Sequence, residues 1–141
     1  MKEAAPKILV AIDFGLRNMG VAVGNTVSKT AQPLAILRAR DGVPDWNQLT
    51  SLIKTWKPDQ IIVGHPINMD GSESELSSRA ARFAGRLEGR LCLPVCLVDE
   101  RLSSRTAKLE AKATGHRGDF ASNPIDDKAA AIILTTYLNE L

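Results

Sequence analysis

Cysteine and histidine are scarce in this chain, with two of each among 141 residues. That scarcity excludes whole classes of chemistry. Cys92 and Cys96 lie close together, but His65 and His116 are remote from them in sequence, so no structural zinc site assembles at the usual ligand spacing. Cys96 falls in an apolar run, where a thiol behaves as a small apolar group; both cysteines read as core thiols. No serine, cysteine or histidine constellation offers a nucleophile with a matched base. Long apolar runs are also absent, which excludes a membrane-spanning helix. The segment Met1 to Lys7 has no apolar core of signal-peptide length, so a cytoplasmic protein is expected. Repeats, linkers and low-complexity tracts are missing as well. Charge is nearly balanced: 18 basic against 16 acidic residues leave a net +2, which by itself decides nothing about nucleic acid.

What is present is a globular composition, 44% hydrophobic and 24% charged. It suits one domain over residues 1–141, large enough to bury a core without staples. Strand patterns cover Ile8 to Asp13, Gly20 to Gly24 and about Ala31 to Arg38, with short connections. Asp45 caps a helix to Trp56, which Pro58 ends. Trp46, Leu49, Leu52, Ile53 and Trp56 share its apolar face, and the two tryptophans read as core, not as base-stacking platforms. Gln60 to Gly64 is a compact buried strand. Ser72, with Glu75 three residues later, forms a capping-box pattern that opens a long helix to about Leu91. A strand at Val95 to Asp99 and a helix near Ser104 to Ala113 follow. Thr114 to Ser122 is polar and expected to be mobile. Asn123-Pro124 opens a final helix to about Asn139. Three meandering strands, then helix–strand alternation, predict an α/β protein with a mixed sheet and helices on its faces.

Asp13 stands at the carboxyl end of the run Ile8-Leu9-Val10-Ala11-Ile12. A carboxylate there is costly unless it is paired or coordinates a metal. Two readings are open, a metal ligand or the cap of a turn. Glu100 lies just past another apolar strand; in parallel neighbours such ends share one edge of the sheet, where ligands of open α/β sheets bind. Asp99 competes with it, and a solvated turn is the plainer reading of both. Asp126 and Asp127 occupy the first turn of the last helix, where acids complement the helix dipole. Asp126 is in register with Ala130, Ile133 and Tyr137 on the apolar face, and is the better candidate of the two. Asp13, Glu100 and Asp126 together would form a hard oxygen site suited to Mg²⁺ or Mn²⁺. Such a site can hold two ions about 4 Å apart for phosphodiester hydrolysis.

Basic residues flank these acids in rows. Arg79, Arg82, Arg86 and Arg90 are spaced three, four and four apart beside the apolar stripe Leu76, Phe83, Leu87 and Leu91. Arg101, Arg105, Lys108 and Lys112 form a second row. Either row can track phosphates; the alternative is a solvated helix face paired with Glu88 and Glu110.

The strings Asp13-Phe14-Gly15, Gly20-Val21-Ala22-Val23-Gly24, Ile62-Val63-Gly64, Pro66 to Ser72, Asp99-Glu100-Arg101-Leu102-Ser103 and Ile125-Asp126 resemble the YqgF/RuvX family over nearly the whole chain. The resemblance implies a ribonuclease H-like fold with a five-stranded mixed sheet flanked by helices. It also implies a bacterial group described as pre-16S rRNA nucleases, earlier as Holliday-junction resolvases. Carried over by motif, the acids are Asp13, Glu100 and Asp126, and Arg17 and Arg101 are expected at the scissile phosphate. Asp70 lies in a matched loop without an assignable role, and His65 departs from the aliphatic residue expected there. The expectation is a Mg²⁺- or Mn²⁺-dependent endonuclease for structured RNA, trimming the 5′ end of the small-subunit rRNA precursor as a monomer or weak homodimer. The rivals are a DNA resolvase, which needs a dimer for symmetric incision, and a non-catalytic RNA-binding assembly factor. An actin-like ATPase also follows a strand with Asp-x-Gly, but its two-domain architecture exceeds 141 residues.

Overall fold

The computed structural model describes residues 7–66, 70, 72, 74–99 and 126–140. The apolar run before Asp13 forms β1 (Ile8–Asp13), and its residues Leu9 to Ile12 are at most 1% exposed. A strand apolar at every position is stable only with both faces covered, and β1 lies inside the sheet. β2 (Asn18–Asn25) returns antiparallel to β1, and β3 (Ala31–Arg40) runs antiparallel to β2. β4 (Val43–Pro44) is a two-residue strand at the edge. After α1 (Trp46–Trp56), β5 (Gln60–His65) pairs parallel with β1. α2 (Glu75–Leu91) leads to β6 (Val95–Asp99), parallel to β5, and α3 (Asp126–Asn139) ends the description. The sheet order is β4-β3-β2-β1-β5-β6.

The fold is therefore the expected mixed α/β sheet, with six strands where five were anticipated. The extra strand comes from Asp41 and Gly42, whose φ of 50° and 80° make the tight turn of a two-residue hairpin. An Asp-Gly pair favours that turn because both residues tolerate the left-handed region. The long helix also starts differently from its expectation. Ser74, not Ser72, caps α2, and its reciprocal partner is Ser77, with bonds of 3.0 and 2.7 Å. Ser77 is wholly buried, a place where a short hydroxyl fits and a glutamate would not. Ser72 instead donates its N–H and O–H to the Asp70 carboxylate, closing a turn ahead of the helix. Asp45 caps α1 as expected, accepting from Asn47 and Gln48, and Lys57 ends it in the left-handed region.

Two apolar clusters sandwich the sheet. Val10, Ile12, Val21, Ile61 and Val63 meet Leu49 and Ile53 of α1 and Phe83 and Leu87 of α2. On the other face Leu9, Ala11, Ala22 and Ile62 meet Ala130, Ile133, Leu134 and Leu138 of α3. The result is three layers, α1 and α2 above the sheet and α3 below. Some expectations of burial fail at the margins. Leu76 is 37% exposed, on the outer side of α2's first turn. Cys92 is exposed at the C-cap of α2, and Cys96 is only half-buried, because β6 is at the edge of the described sheet. Trp46 and Trp56 are half-buried, resting against the core without entering it. The expected helix near Ser104 to Ala113 and the loop from Thr114 to Ser122 lie outside the described residues.

Candidate active site and nucleic-acid interface

Strand phase decides which way Asp13 and Asp99 face. Leu9 and Ala11 belong to the α3-side cluster, so Asp13, two and four residues on, points to the same face. Asp13 is half-buried at the carboxyl end of β1. Its antiparallel neighbour on β2 is Gly20. One step past the Ile12–Val63 pair, its neighbour on β5 is Gly64. Both glycines are buried. Neither flank carries a side chain, so the Asp13 carboxylate has no side-chain neighbour from the adjoining strands at its own level.

The turn after Asp13 is held tightly. A Cβ on Gly15 would lie 2.2 Å from the carbonyl oxygen of Asn18, so only glycine fits there. The carbonyls of Leu16 and Arg17 accept from the N–H groups of Gly42 and Ala39, at 3.0 and 2.7 Å. These bonds tie the β1–β2 turn to the β3–β4 hairpin. Arg17 is exposed at the tip of that turn.

At β6 the phase places Asp99, one of the two acids that competed in the sequence. Cys96 and Val98 pack on the α3-side cluster, whereas Val95 packs on the opposite one. Asp99 is therefore out of phase with Asp13; it is paired in register with His65 at the carboxyl end of β5. Glu100 lies outside the described residues, as do Arg101, Arg105, Lys108 and Lys112. The backbone of Asp126 opens α3, the helix that covers the Asp13 face. Among the described residues no three ligating side chains converge.

The α2 row is brought to one place but does not act as one set. Arg79, Arg82 and Arg86 line a cavity of about 120 Å³ together with Phe14, Phe83, Trp46 and the hairpin turn. Arg79 is committed to that turn: it bonds the Asp41 carboxylate at 3.2 Å and the Asp41 carbonyl. Arg90 lies over the Trp46 ring, 4.2 Å from its centroid. Arg82 and Arg86 are exposed, and among the described residues neither has an ion-pair partner. The sequence pattern could not show this division, because the partners of Arg79 and Arg90 come from distant segments. Trp46 packs against the core cluster as the sequence reading expects, and its contact with Arg90 is what that reading did not contain.

The comparisons agree with the geometry. The chain is 48% identical over 137 residues to a Chromohalobacter salexigens protein named "Putative pre-16S rRNA nuclease", covering 97% of this chain and 93% of that protein. Among solved structures, the Thermus thermophilus RuvC in complex with a Holliday junction substrate superposes with a TM-score of 0.56 at 16% identity, covering 94% of each chain. The fowlpox virus Holliday junction resolvase superposes with a TM-score of 0.57 at 16% identity, over 95% of this chain and 99% of that one. At that identity the likeness establishes the fold, which is ribonuclease H-like. The family described as RuvX, Holliday junction resolvase, matches residues 7–140, and the chain belongs to it.

Proposed function

We propose that this nuclease hydrolyses phosphodiester bonds in structured RNA and processes the 5′ end of pre-16S rRNA. The observation that carries the reading is Asp13, held at the carboxyl edge of the sheet between two glycines, in a chain that matches the RuvX family from residue 7 to 140. The RNA substrate is supported by the name of a relative 48% identical to the chain. A cytoplasmic location follows from such a substrate, and no described helix is long and apolar enough to cross a membrane.

The residues fit a hard divalent cation. Asp13 is partly open to solvent at the carboxyl end of β1, its strand neighbours carry no side chain, and the other proposed ligands are carboxylates. Asp13, Glu100 and Asp126 would hold one or two Mg²⁺ or Mn²⁺ ions. Bound there, the metal would activate water and stabilise the leaving oxygen. Asp99 falls on the face of β6 opposite to Cys96 and Val98, which disfavours it as a partner of Asp13. Arg17, at the tip of the turn that begins with Asp13, would bind the scissile phosphate, with Arg101 beside Glu100. The basic rows, Arg82 and Arg86 on α2 and Arg105, Lys108 and Lys112 beyond β6, would hold the flanking backbone.

The test is a side-by-side cleavage assay with Mn²⁺ or Mg²⁺. A 5′-extended small-subunit rRNA fragment and a four-way DNA junction are the two substrates. Wild-type protein should cut the RNA, and Asp13→Asn should not, while melting close to the parent temperature. Unchanged turnover in Asp13→Asn would refute the site. Paired symmetric nicks in the junction would instead support the second reading, a resolvase, which the family description favours and which requires a dimer. Binding without cutting either substrate would point to a non-catalytic assembly factor.

A further inference from the structure

Two depressions on the α1/α2 side of the sheet meet at Trp46. The first is the hairpin cavity of about 120 Å³, walled by Arg82 and Arg86. The second is a wider one of about 460 Å³ along the exposed side of α1, with Thr50, Lys54 and Arg90 on its border. Trp46 borders both, with the Arg90 guanidinium over its ring at 4.2 Å. Phe14, the residue after Asp13, lines the first cavity on the face of the sheet opposite the Asp13 carboxylate, so the surface reaches the same carboxyl end of β1 from the other side.

We propose that this surface is a track for single-stranded nucleic acid, which carries unpaired nucleotides of the substrate away from the catalytic edge. The proposal rests on the nuclease reading for its direction, not for its chemistry. Sequence-tolerant binding of single strands combines a basic groove with flat groups on which bases stack. Both components are present. Arg82, Arg86 and Arg90 follow one another at four-residue spacing, about 6 Å apart along the helix axis. The first two have no ion pair among the described residues and are therefore available to phosphates. Arg79 is not available; its bonds to Asp41 fix the wall of the cavity. Trp46 is half-buried against Phe83 with the Arg90 guanidinium over its ring, so the guanidinium plane is the group that accepts an unstacked base, with the indole behind it. A duplex keeps its base faces stacked and could not use that pair. Recognition by phosphate and base face does not read the 2′-hydroxyl, so single-stranded RNA and DNA should bind alike.

The chain has only two tryptophans, so Trp56→Phe leaves Trp46 as the sole indole. In that background, with chelator present so that nothing is cut, Trp46 emission should be quenched by a ten-nucleotide RNA and by the DNA of the same sequence. A blunt RNA duplex should quench it little. Anisotropy of the labelled strand, measured on the protein with both tryptophans, gives the affinity independently of that substitution. Replacing Arg82 and Arg86 by Gln should lower the slope of log K against log salt by about 1.4, two single-strand phosphate contacts at about 0.7 each. The control removes two charges elsewhere: Lys29→Asn with Lys57→Asn, at positions with φ of 54° and 48° that asparagine tolerates. Its slope should match the parent. An unchanged slope in the arginine pair, an equal loss in the lysine pair, unquenched Trp46, equal binding of the duplex or binding of RNA alone would each overturn the track. Binding is read without metal or turnover. A protein that binds single strands but never cuts would keep the track and lose the nuclease reading.

Discussion

Replacing Gly15 by alanine tests how tightly the turn after Asp13 is built. The new Cβ would lie 2.2 Å from the Asn18 carbonyl oxygen, where ordinary contact begins at 3.4 Å. One side of the turn must therefore move by about 1.2 Å, and the obstacle is backbone, which cannot rotate away. That movement strains the two bonds that tie Leu16 and Arg17 to the hairpin. Each is worth about 1 kcal/mol, and forcing a group into packed space costs about 1–3 kcal/mol more. A total near 3 kcal/mol should lower Tm by about 10 °C for a domain of this size. Because Asp13 begins the same turn, a shift of about 1 Å should also cut the rate of RNA cleavage by about 100-fold. Gly89→Ala is the matched control. Nothing lies within 4 Å of a Cβ there, and an exposed helical alanine should raise stability by about 0.5–1 kcal/mol. Thermal melts and single-turnover cleavage of the rRNA fragment measure both effects. If Gly15→Ala melts within about 2 °C of the parent and cuts at the parent rate, the reasoning fails at its first step.

Other outcomes follow from the same structure. Asp45→Ala removes the acceptor for two N–H groups of α1 and should cost about 1 kcal/mol in a urea titration, with the m value unchanged. Leu134→Ala, wholly buried between α3 and the sheet, should cost about 2–5 kcal/mol by the same measurement. Arg79→Ala breaks an exposed ion pair with Asp41, whose side chain is 81% exposed, so its stability loss should stay below about 1 kcal/mol. If 10 mM Mg²⁺ binds with a Kd near 1 mM, it should add about 1.4 kcal/mol of stability, seen as a higher Tm that Asp13→Asn largely abolishes. Equal stabilisation of both proteins would argue against Asp13 as a ligand.

Residues whose burial follows from local pattern were legible before the structure. The run Ile8 to Ile12 could only be a covered strand, Asp45 could only cap, and the strand-and-helix alternation implied a mixed sheet. Asp13 stood out for the same local reason, a carboxylate at the end of an apolar run. Legibility ended where partners are distant in sequence. Ser72 and Ser74 offer similar caps, and the buried space that admits Ser77 but no longer side chain chose between them. Asp99 read as a possible partner of Asp13, and only the packing of Cys96 and Val98 against α3 shows that it faces the other way. The four α2 arginines look equivalent as a row. Asp41, 38 residues before Arg79, removes one from service, and Trp46 engages another. The sequence by itself determined most of the described strands and helices, the family and the position of an acid at the end of β1, because each depends on neighbours along the chain. Tertiary structure decided which faces Asp13 and Asp99 see, which α2 arginines are engaged and how the β1–β2 turn is braced, because those depend on groups that meet only when the sheet closes between its two helical layers.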